Sequence, residues 1–415
     1  MEDKLLLGLA KEHGTPLYVY DGDLIRDSFT SFRDAFTERY PNVRVCYAVK
    51  ANSSLAILRL LARQGCGADV VSGGELSIAL KAGVRAGDIV YTSNSKSPGE
   101  LELALNQGVT VTHGNVDELK ILAGIAGNAG KTARVAFRVN PDVSAATHPK
   151  IATGIRNTKF GLHLKDDLAF KAYEKASGMT EIQVVGLHCH IGSQITETES
   201  FEEAVSKMMD FAARLEDELH LRLEFIDVGG GLGISYHGKE TLCLSEFADA
   251  IVNAFTKGAE KLSYEPTLVL EPGRYIVGPA GVLLAGVNSV KKTPYKNFIN
   301  VDAGFNTLAR PAMYDAYHRV RILGKKGGKE KYDIAGNVCE SGDILARDRI
   351  LPTPSRGDVI TILDAGAYGF SMASEYNTCP LPAEVLVRNG NAELIRRRRT
   401  VEDVLNGQVI PDDLA

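Results

Sequence analysis

The chain has 415 residues, 44% of them hydrophobic and 24% charged, with a net charge of −5. That length predicts two or three domains, and that composition supplies enough apolar material for a large core. No basic patch points to nucleic acid and no apolar run is long enough for a signal peptide or a membrane span, so a cytoplasmic protein with neither partner is expected. Six cysteines stand singly at 46, 66, 189, 243, 339 and 379 with no CxxC pair, which argues against a zinc ribbon or a thioredoxin-type site. In a reducing compartment they should be free thiols, most of them small buried hydrophobes.

In chain order, residues 15–20 read as a short strand before the polar turn Asp21-Gly22-Asp23, and 24–40 as an amphipathic helix. Short runs rich in β-branched residues then alternate with helical patterns such as 53–64, 74–82 and 201–219. The spacing predicts strands at 43–49, 68–71, 89–92, 109–112, 134–139, 184–190, 223–228 and 267–270. Eight strands alternating with helices predict an α/β fold, a (β/α)8 TIM barrel. After Arg274 the rhythm changes to strands without long helices, at 282–290, 297–301, 319–323, 332–336, 358–363, 384–387 and 392–396. This predicts a second, mostly antiparallel β domain. Helical pieces are expected at 312–317 and from Val401, and an exposed hairpin loop at 325–329. The expected division is a barrel over 24–273 and a β domain built from 1–23 and 274–415, the early strand pairing with the late sheet. No internal repeat beyond the βα units and no low-complexity segment is present.

Chemistry in such a barrel sits just beyond the carboxyl ends of the strands. Lys50 follows the first strand, in Tyr47-Ala48-Val49-Lys50-Ala51-Asn52. Asp69 and Ser72 lie on and after the second, and Asn140 follows the fifth. His190 to Ser193 follow the sixth, Gly229-Gly230-Gly231 the seventh, and Glu271-Pro272-Gly273-Arg274 the eighth. A lone strand-end lysine more often reaches solvent than reacts. Desolvated, its neutral amine condenses with carbonyls. The triple glycine is either a tight turn or a cradle whose N–H groups wrap a phosphate; it lacks the dinucleotide spacing. Arg274 and the Ser193 hydroxyl would add to such a cradle. Glu271 ends an apolar strand, so its carboxylate is either paired, with Arg274 as one candidate, or placed to keep a pyridine nitrogen protonated. His188 and His190 share a strand face. Zinc would need a third or fourth ligand at matching depth, and none is evident, so no metal is expected. His190 is better suited to stacking on a ring, and His188 to satisfied packing in the barrel. An imine-forming lysine, a phosphate cradle, a carboxylate for a ring nitrogen and a flat imidazole together describe a pyridoxal 5′-phosphate site.

These motifs, with His188-Cys189-His190-Ile191-Gly192-Ser193-Gln194, resemble the barrel-type (fold type III) pyridoxal phosphate decarboxylases. In the β domain, 310–318 beginning Arg310-Pro311-Ala312-Met313-Tyr314, the run Cys339-Glu340-Ser341-Gly342-Asp343, and 367–374 beginning Ala367-Tyr368-Gly369 look like the diaminopimelate decarboxylase family. The resemblance runs over nearly the whole chain. It implies that Lys50 forms the Schiff base and that His190 stacks on the ring. It implies further that Ser193, Gly229 to Gly231 and Tyr368 hold the phosphate, with Asp69, Gly273 and Arg274 also lining the cofactor, and that Glu271 pairs the ring nitrogen. Arg274, Arg310, Tyr314 and Tyr368 would hold the distal end of the substrate, with Glu340 near its far amine. Cys339 would be the proton donor, supplied across a homodimer with shared active sites. The implied reaction takes meso-2,6-diaminopimelate to L-lysine and carbon dioxide. An arginine gripping a second carboxylate bidentately suits that substrate. Departures fall in Glu375-Tyr376-Asn377-Thr378-Cys379-Pro380-Leu381-Pro382, which lacks an arginine between its prolines and carries an acid at 375.

Three other readings compete. A sister decarboxylase would act on another basic or carboxylated amino acid. An alanine-racemase-like barrel would place an arginine at the ring nitrogen, where Glu271 stands here. A cofactor-binding regulator without turnover could dispense with Lys50 and Cys339, and both are present.

Overall fold

The structure is a computed structural model that describes residues 1–144, 153–154, 158–238 and 241–414. It divides into two compact units: Met1–Ile25, Tyr236–Lys239 and Val277–Ala415 form one, Arg26–Ser235 and Glu240–Ile276 the other. The strand β1 (Leu17–Asp21) belongs to the first.

The second unit is the barrel. Its strands are β2 (Val43–Ala48), β3 (Gly67–Val70), β4 (Ile89–Tyr91), β5 (Thr110–His113) and β6 (Ala133–Asn140), then, after the two-residue β7 (Leu162–His163), β8 (Ile182–His188), β9 (Phe225–Asp227) and β10 (Thr267–Leu270). They pair in parallel in the order β5-β4-β3-β2-β10-β9-β8-β6, and β6 returns to β5, which closes the ring. All eight strands foreseen in the sequence are present, shifted at their ends by a residue or two. Buried on both faces, they are rich in β-branched and aliphatic residues, as a parallel barrel requires. Helices start where polar caps stand: the side chains of Ser72, Ser97 and Asn115 accept from the backbone N–H groups of Glu75, Glu100 and Glu118.

Cys46, Val90, Ala136, Val185, Phe225 and Val269 form a buried cluster of barrel-strand residues. Two residues further along five of these strands stand Ala48, Thr92, Arg138, Asp227 and Glu271. Side chains two apart share a face, so a polar layer follows the apolar one at the carboxyl end of the barrel. Register sets Asp69 beside Ala48 and, past an irregularity in the pairing of β6 with β8, His188 beside Arg138 in that layer.

In the other unit, β1 lies between β11 (Gly281–Lys292), with which it is antiparallel, and β17 (Ala383–Arg388), with which it is parallel. The remaining strands are β12 (Asn297–Val301), β13 (Val320–Ile322), β14 (Glu330–Ala335), β15 (Ile344–Leu351), β16 (Val359–Ile362) and β18 (Asn391–Arg396). Pairing among the described residues is antiparallel except at β1–β17 and β12–β14. One half of β11 pairs with β16, the other with β12. Leu17, Val19, Val282, Leu284, Val385 and Val387 make the core here, with Leu6 and Leu9 of the helix Asp3–His13 packed in. Neither that helix nor β15 is apparent in the sequence. The helix covers the core with only three buried residues, and β15 is an edge strand broken by Arg347, Asp348 and Arg349. The 325–329 loop is exposed apart from half-buried Lys325, but it does not join a hairpin: β13 pairs with β16, whereas β14 pairs with β12 and β15.

Candidate active site

Lys50 sits in a 3-10 turn, Val49–Ala51, immediately beyond β2. The turn lifts it out of the extended chain, so its side chain is 34% exposed while Val49 and Ala51 are buried. Its Nζ lies 2.5 Å from Asp69 Oδ2. The other Asp69 oxygen accepts from the Thr92 hydroxyl. Burial, then the nearby Glu271 carboxylate, raise the Asp69 carboxyl, against the pull of Lys50. Gly273 packs against this turn: a Cβ there would stand 3.0 Å from Ala51 Cβ and 3.1 Å from Ala48 Cβ.

Glu271 is enclosed at the end of β10. Burial raises its carboxyl, but His188, Lys50 and His190 outweigh burial and hold it below the usual carboxylate range. His188 Nε2 lies 3.3 Å from Glu271 Oε1, without the alignment of a hydrogen bond. Two expectations change here. His188 is not a satisfied packing residue, because neither ring nitrogen has an aligned partner among the described residues. Nor does Glu271 pair with Arg274, which instead donates from Nη2 to Ser193 Oγ at 3.0 Å.

A third acid, overlooked in the sequence, stands at the same depth. Asp227, His188 and Glu271 each offer one polar atom within 4.8 Å of the others. Two acids thus stand around His188, while His190 is not part of the group. Asp227 belongs to the strand preceding the glycines, and strand register sets it opposite His188. The parity of Phe225 and Asp227 was the available signal. Arg138 was overlooked in the same way; its guanidinium lies 4.4 Å from the Phe160 ring centroid.

The glycine run turns at Gly229, whose φ is +74°. A Cβ on Gly229 would meet Cys189 O at 2.5 Å, and one on Gly230 would meet Glu271 O at 2.1 Å. No residue with a side chain fits, so the run forms a bare backbone wall. Two of its N–H groups have protein acceptors: Gly229 donates to Asp227 Oδ1 at 2.8 Å and Gly230 to His190 Nδ1 at 3.2 Å. Two N–H groups of the run expected as a turn or a cradle are thus taken within the protein. Because His190 Nδ1 accepts, a neutral ring carries its proton on Nε2. Burial, then the charges of Lys50 and Arg138, keep this imidazole well below its usual pKa.

The remaining expected residues lie in the β unit. Arg310 is buried, its Nη1 donating to His318 Nε2 at 2.9 Å and its guanidinium 4.6 Å from the centroid of Tyr236. Tyr236 was not singled out in the sequence; with His318 it forms an edge contact at 5.3 Å. Tyr314 is half-buried, at the end of the helix Arg310–Tyr314. Tyr368 has φ +56°, a strained backbone for a tyrosine. Cys339 and Glu340 are exposed on a loop held by Asp343, whose carboxylate accepts from Val338 N–H at 2.7 Å and from Phe305 N–H, on a separate segment after β12, at 2.6 Å. That loop meets the 375–379 segment twice: Cys339 N–H donates to Asn377 Oδ1 at 3.3 Å, and Tyr376 OH to Glu340 Oε1 at 2.8 Å. The unexpected acid Glu375 has a counter-charge in Arg399, 2.6 Å away. Of the six cysteines only 46, 66 and 189 are buried; 243 and 339 are exposed and 379 is intermediate.

Pyridoxal phosphate needs an amine for its aldehyde, a carboxylate for its ring nitrogen and donors beside a space that no side chain fills. The barrel mouth meets each need: Lys50, the enclosed Glu271 carboxylate, and a glycine wall where a Cβ would collide. Residues 23–278 match the family described as pyridoxal-dependent decarboxylase, pyridoxal binding domain. The diaminopimelate decarboxylase of Archaeoglobus fulgidus is 46% identical over 406 residues, covering 97% of this chain and 95% of the relative. That of Methanothermobacter thermautotrophicus is 46% identical over 410 residues, covering 97% and 94%. The crystal structure of the Methanocaldococcus jannaschii diaminopimelate decarboxylase in co-complex with L-lysine superposes with a TM-score of 0.94 at 42% identity, covering 99% of this chain and 95% of that one. Among the described residues no helix is long and apolar enough to cross a membrane. The chain belongs to the diaminopimelate decarboxylases of the pyridoxal-dependent decarboxylase family, enzymes whose cofactor is pyridoxal phosphate.

Proposed function

We propose that this enzyme removes the carboxylate at the D-configured centre of meso-2,6-diaminopimelate, giving L-lysine and carbon dioxide as the last step of lysine biosynthesis. The bound cofactor supplies an electron-accepting ring for the pair left when carbon dioxide departs. Lys50 would supply the amine that holds the cofactor's aldehyde, and Asp69, 2.5 Å away, orients that amine. Glu271 would keep the ring nitrogen protonated, and the neutral His190 imidazole would offer a face for the ring. Gly231, Ser193 and Tyr368 hold the phosphate, with Gly229, Gly230, Gly273 and Arg274 shaping the cradle. Arg310 and Tyr314, with Arg274 and Tyr368, take the distal carboxylate, and Glu340 the far amine. Cys339, from a second copy in a homodimer, returns a proton to carbon. We read the two compact units as its domains and the cytoplasm as its location.

The observation that carries this reading is Glu271, an enclosed carboxylate held below its usual range at the end of a barrel strand. A carboxylate kept ionised there is what a protonated ring nitrogen requires. The test is carbon dioxide release from meso-diaminopimelate beside L-lysine, L-ornithine and L-arginine. Only the first should turn over, and turnover of another in its place would overturn the substrate assignment. Lys50→Ala should lose the borohydride-reducible bond to the cofactor; a mutant that keeps it removes Lys50 from that role.

A further inference from the structure

Asp227 is fully enclosed, and its two oxygens are not equivalent. Oδ1 accepts from the Gly229 N–H at 2.8 Å, at the turn that starts the glycine wall. Oδ2 is buried and, like Glu271 Oε1, receives no hydrogen bond from a donor among the described residues. Asp227 and Glu271 offer carboxylate oxygens within 4.8 Å of each other. Two enclosed carboxylates this near one another, each with an oxygen that no donor among the described residues reaches, are costly, whereas a proton shared between them would satisfy both. The groups acting on this pair are Asp69 from β3, Lys50 beyond β2, Arg138 from β6, and His188 and His190 from and beyond β8, with the thiols of Cys46 and Cys189. The cations and imidazoles act on Glu271, while burial and then Glu271 itself push Asp227 well above the usual carboxylate range. The two acids are thereby driven apart, one ionised and one neutral.

We propose that Asp227 is a positioning residue that ties the ring-nitrogen partner to the glycine wall, one oxygen accepting from Gly229 N–H and the other, as a neutral acid, donating a hydrogen bond to Glu271. Through it, the carboxylate facing the cofactor ring and the backbone beside its phosphate are held in one register. The inference rests on the reading of Glu271 given above.

The isosteric Asp227→Asn variant separates this from other roles. A carboxamide also accepts with one atom and donates with the other, so it reproduces a neutral acid but not an ionised one. In full-length enzyme loaded with pyridoxal phosphate labelled with nitrogen-15 at the ring, Asp227→Asn should keep cofactor affinity within about threefold and leave the ring-nitrogen resonance at its protonated position. Asp227→Ala should weaken cofactor binding about tenfold to hundredfold, the value of a hydrogen bond to a charged group, and move the resonance toward the unprotonated position. Asp227→Asn as impaired as Asp227→Ala, or Asp227→Ala indistinguishable from wild type, would overturn the inference. Should Asp227→Ala fail to fold, the asparagine variant decides alone: retention supports a neutral donor, and loss rules it out. Wild-type protein that binds no pyridoxal phosphate would instead bring down the reading of the site itself.

Discussion

Replacing Glu118 by glutamine should destabilise the barrel unit by about 3–5 kcal/mol, the cost of leaving one member of a buried ion pair without its partner. Lys96, in the loop beyond β4, is 5% exposed. Its ammonium donates to Ser93 O, Thr112 O and Glu118 Oε2, each at 2.8 Å. Glu118 Oε1 accepts from Lys96 N–H at 2.8 Å, and Oε2 also meets His113 Nδ1 at 2.9 Å. Both carboxylate oxygens thus face donors. A carboxamide turned either way sets its NH2 against one of them and removes the counter-charge from the enclosed ammonium. An independent figure agrees. Burial raises the Glu118 carboxyl, yet His113 and Lys96 hold it down to about 2. Set against a free value of about 4.3, that depression is worth roughly 3 kcal/mol. Because the folded value is the lower one, this stability is fully present above pH ~4.3 and is lost as the pH falls toward about 2. Chemical denaturation of the apo chain, resolved into its transitions, measures the effect. The glutamine variant should also lack this part of the acid-dependent loss. Lys96→Met combined with Glu118→Leu should recover most of the stability, since apolar replacement of a whole buried pair is often neutral. A loss of under about 1 kcal/mol in Glu118→Gln would show the pair behaving as a solvated surface bridge, and the argument would fail.

Glu271→Gln should lower decarboxylation about 10²–10³-fold while the cofactor stays attached to Lys50, because an electrostatic contribution to the reaction is lost and the attachment is not; single-turnover kinetics with absorbance of the bound cofactor read both. Tyr376→Phe removes the 2.8 Å hydrogen bond to Glu340 but keeps the ring stacked on Phe305, whose centroid lies 5.6 Å away. The KM for meso-diaminopimelate should rise about 3–10-fold with kcat changed less, and an unchanged KM would dissociate Glu340 from the far amine. Gly230→Ala sets a methyl 2.1 Å from Glu271 O, so the chain there must shift. Cofactor retention on dialysis should fall, with a stability cost of about 1–3 kcal/mol by denaturation.

The order of elements was legible in the sequence because burial on both faces forces continuous apolar runs in a parallel barrel. Lys50, His190, the glycine run and Glu271 stand out there because each interrupts or ends such a run. Asp227 hides in the same text, since it precedes the glycines and looks like part of their turn. Only the parallel pairing of β8, β9 and β10 sets it against His188 and Glu271. The same holds for Arg138, and for Glu375, whose counter-charge Arg399 lies 24 positions away. The β unit was harder to read: β15 is an edge strand that charges interrupt, and the Asp3–His13 helix buries too few residues to leave a strong periodicity.

The sequence by itself determined the strand order, the barrel and the residue types at its mouth, because period and polarity are local properties of the chain. The tertiary structure alone decided which charges face one another and which stay ionised. Those depend on distances across the barrel and on exclusion of water, which no single stretch of the chain contains.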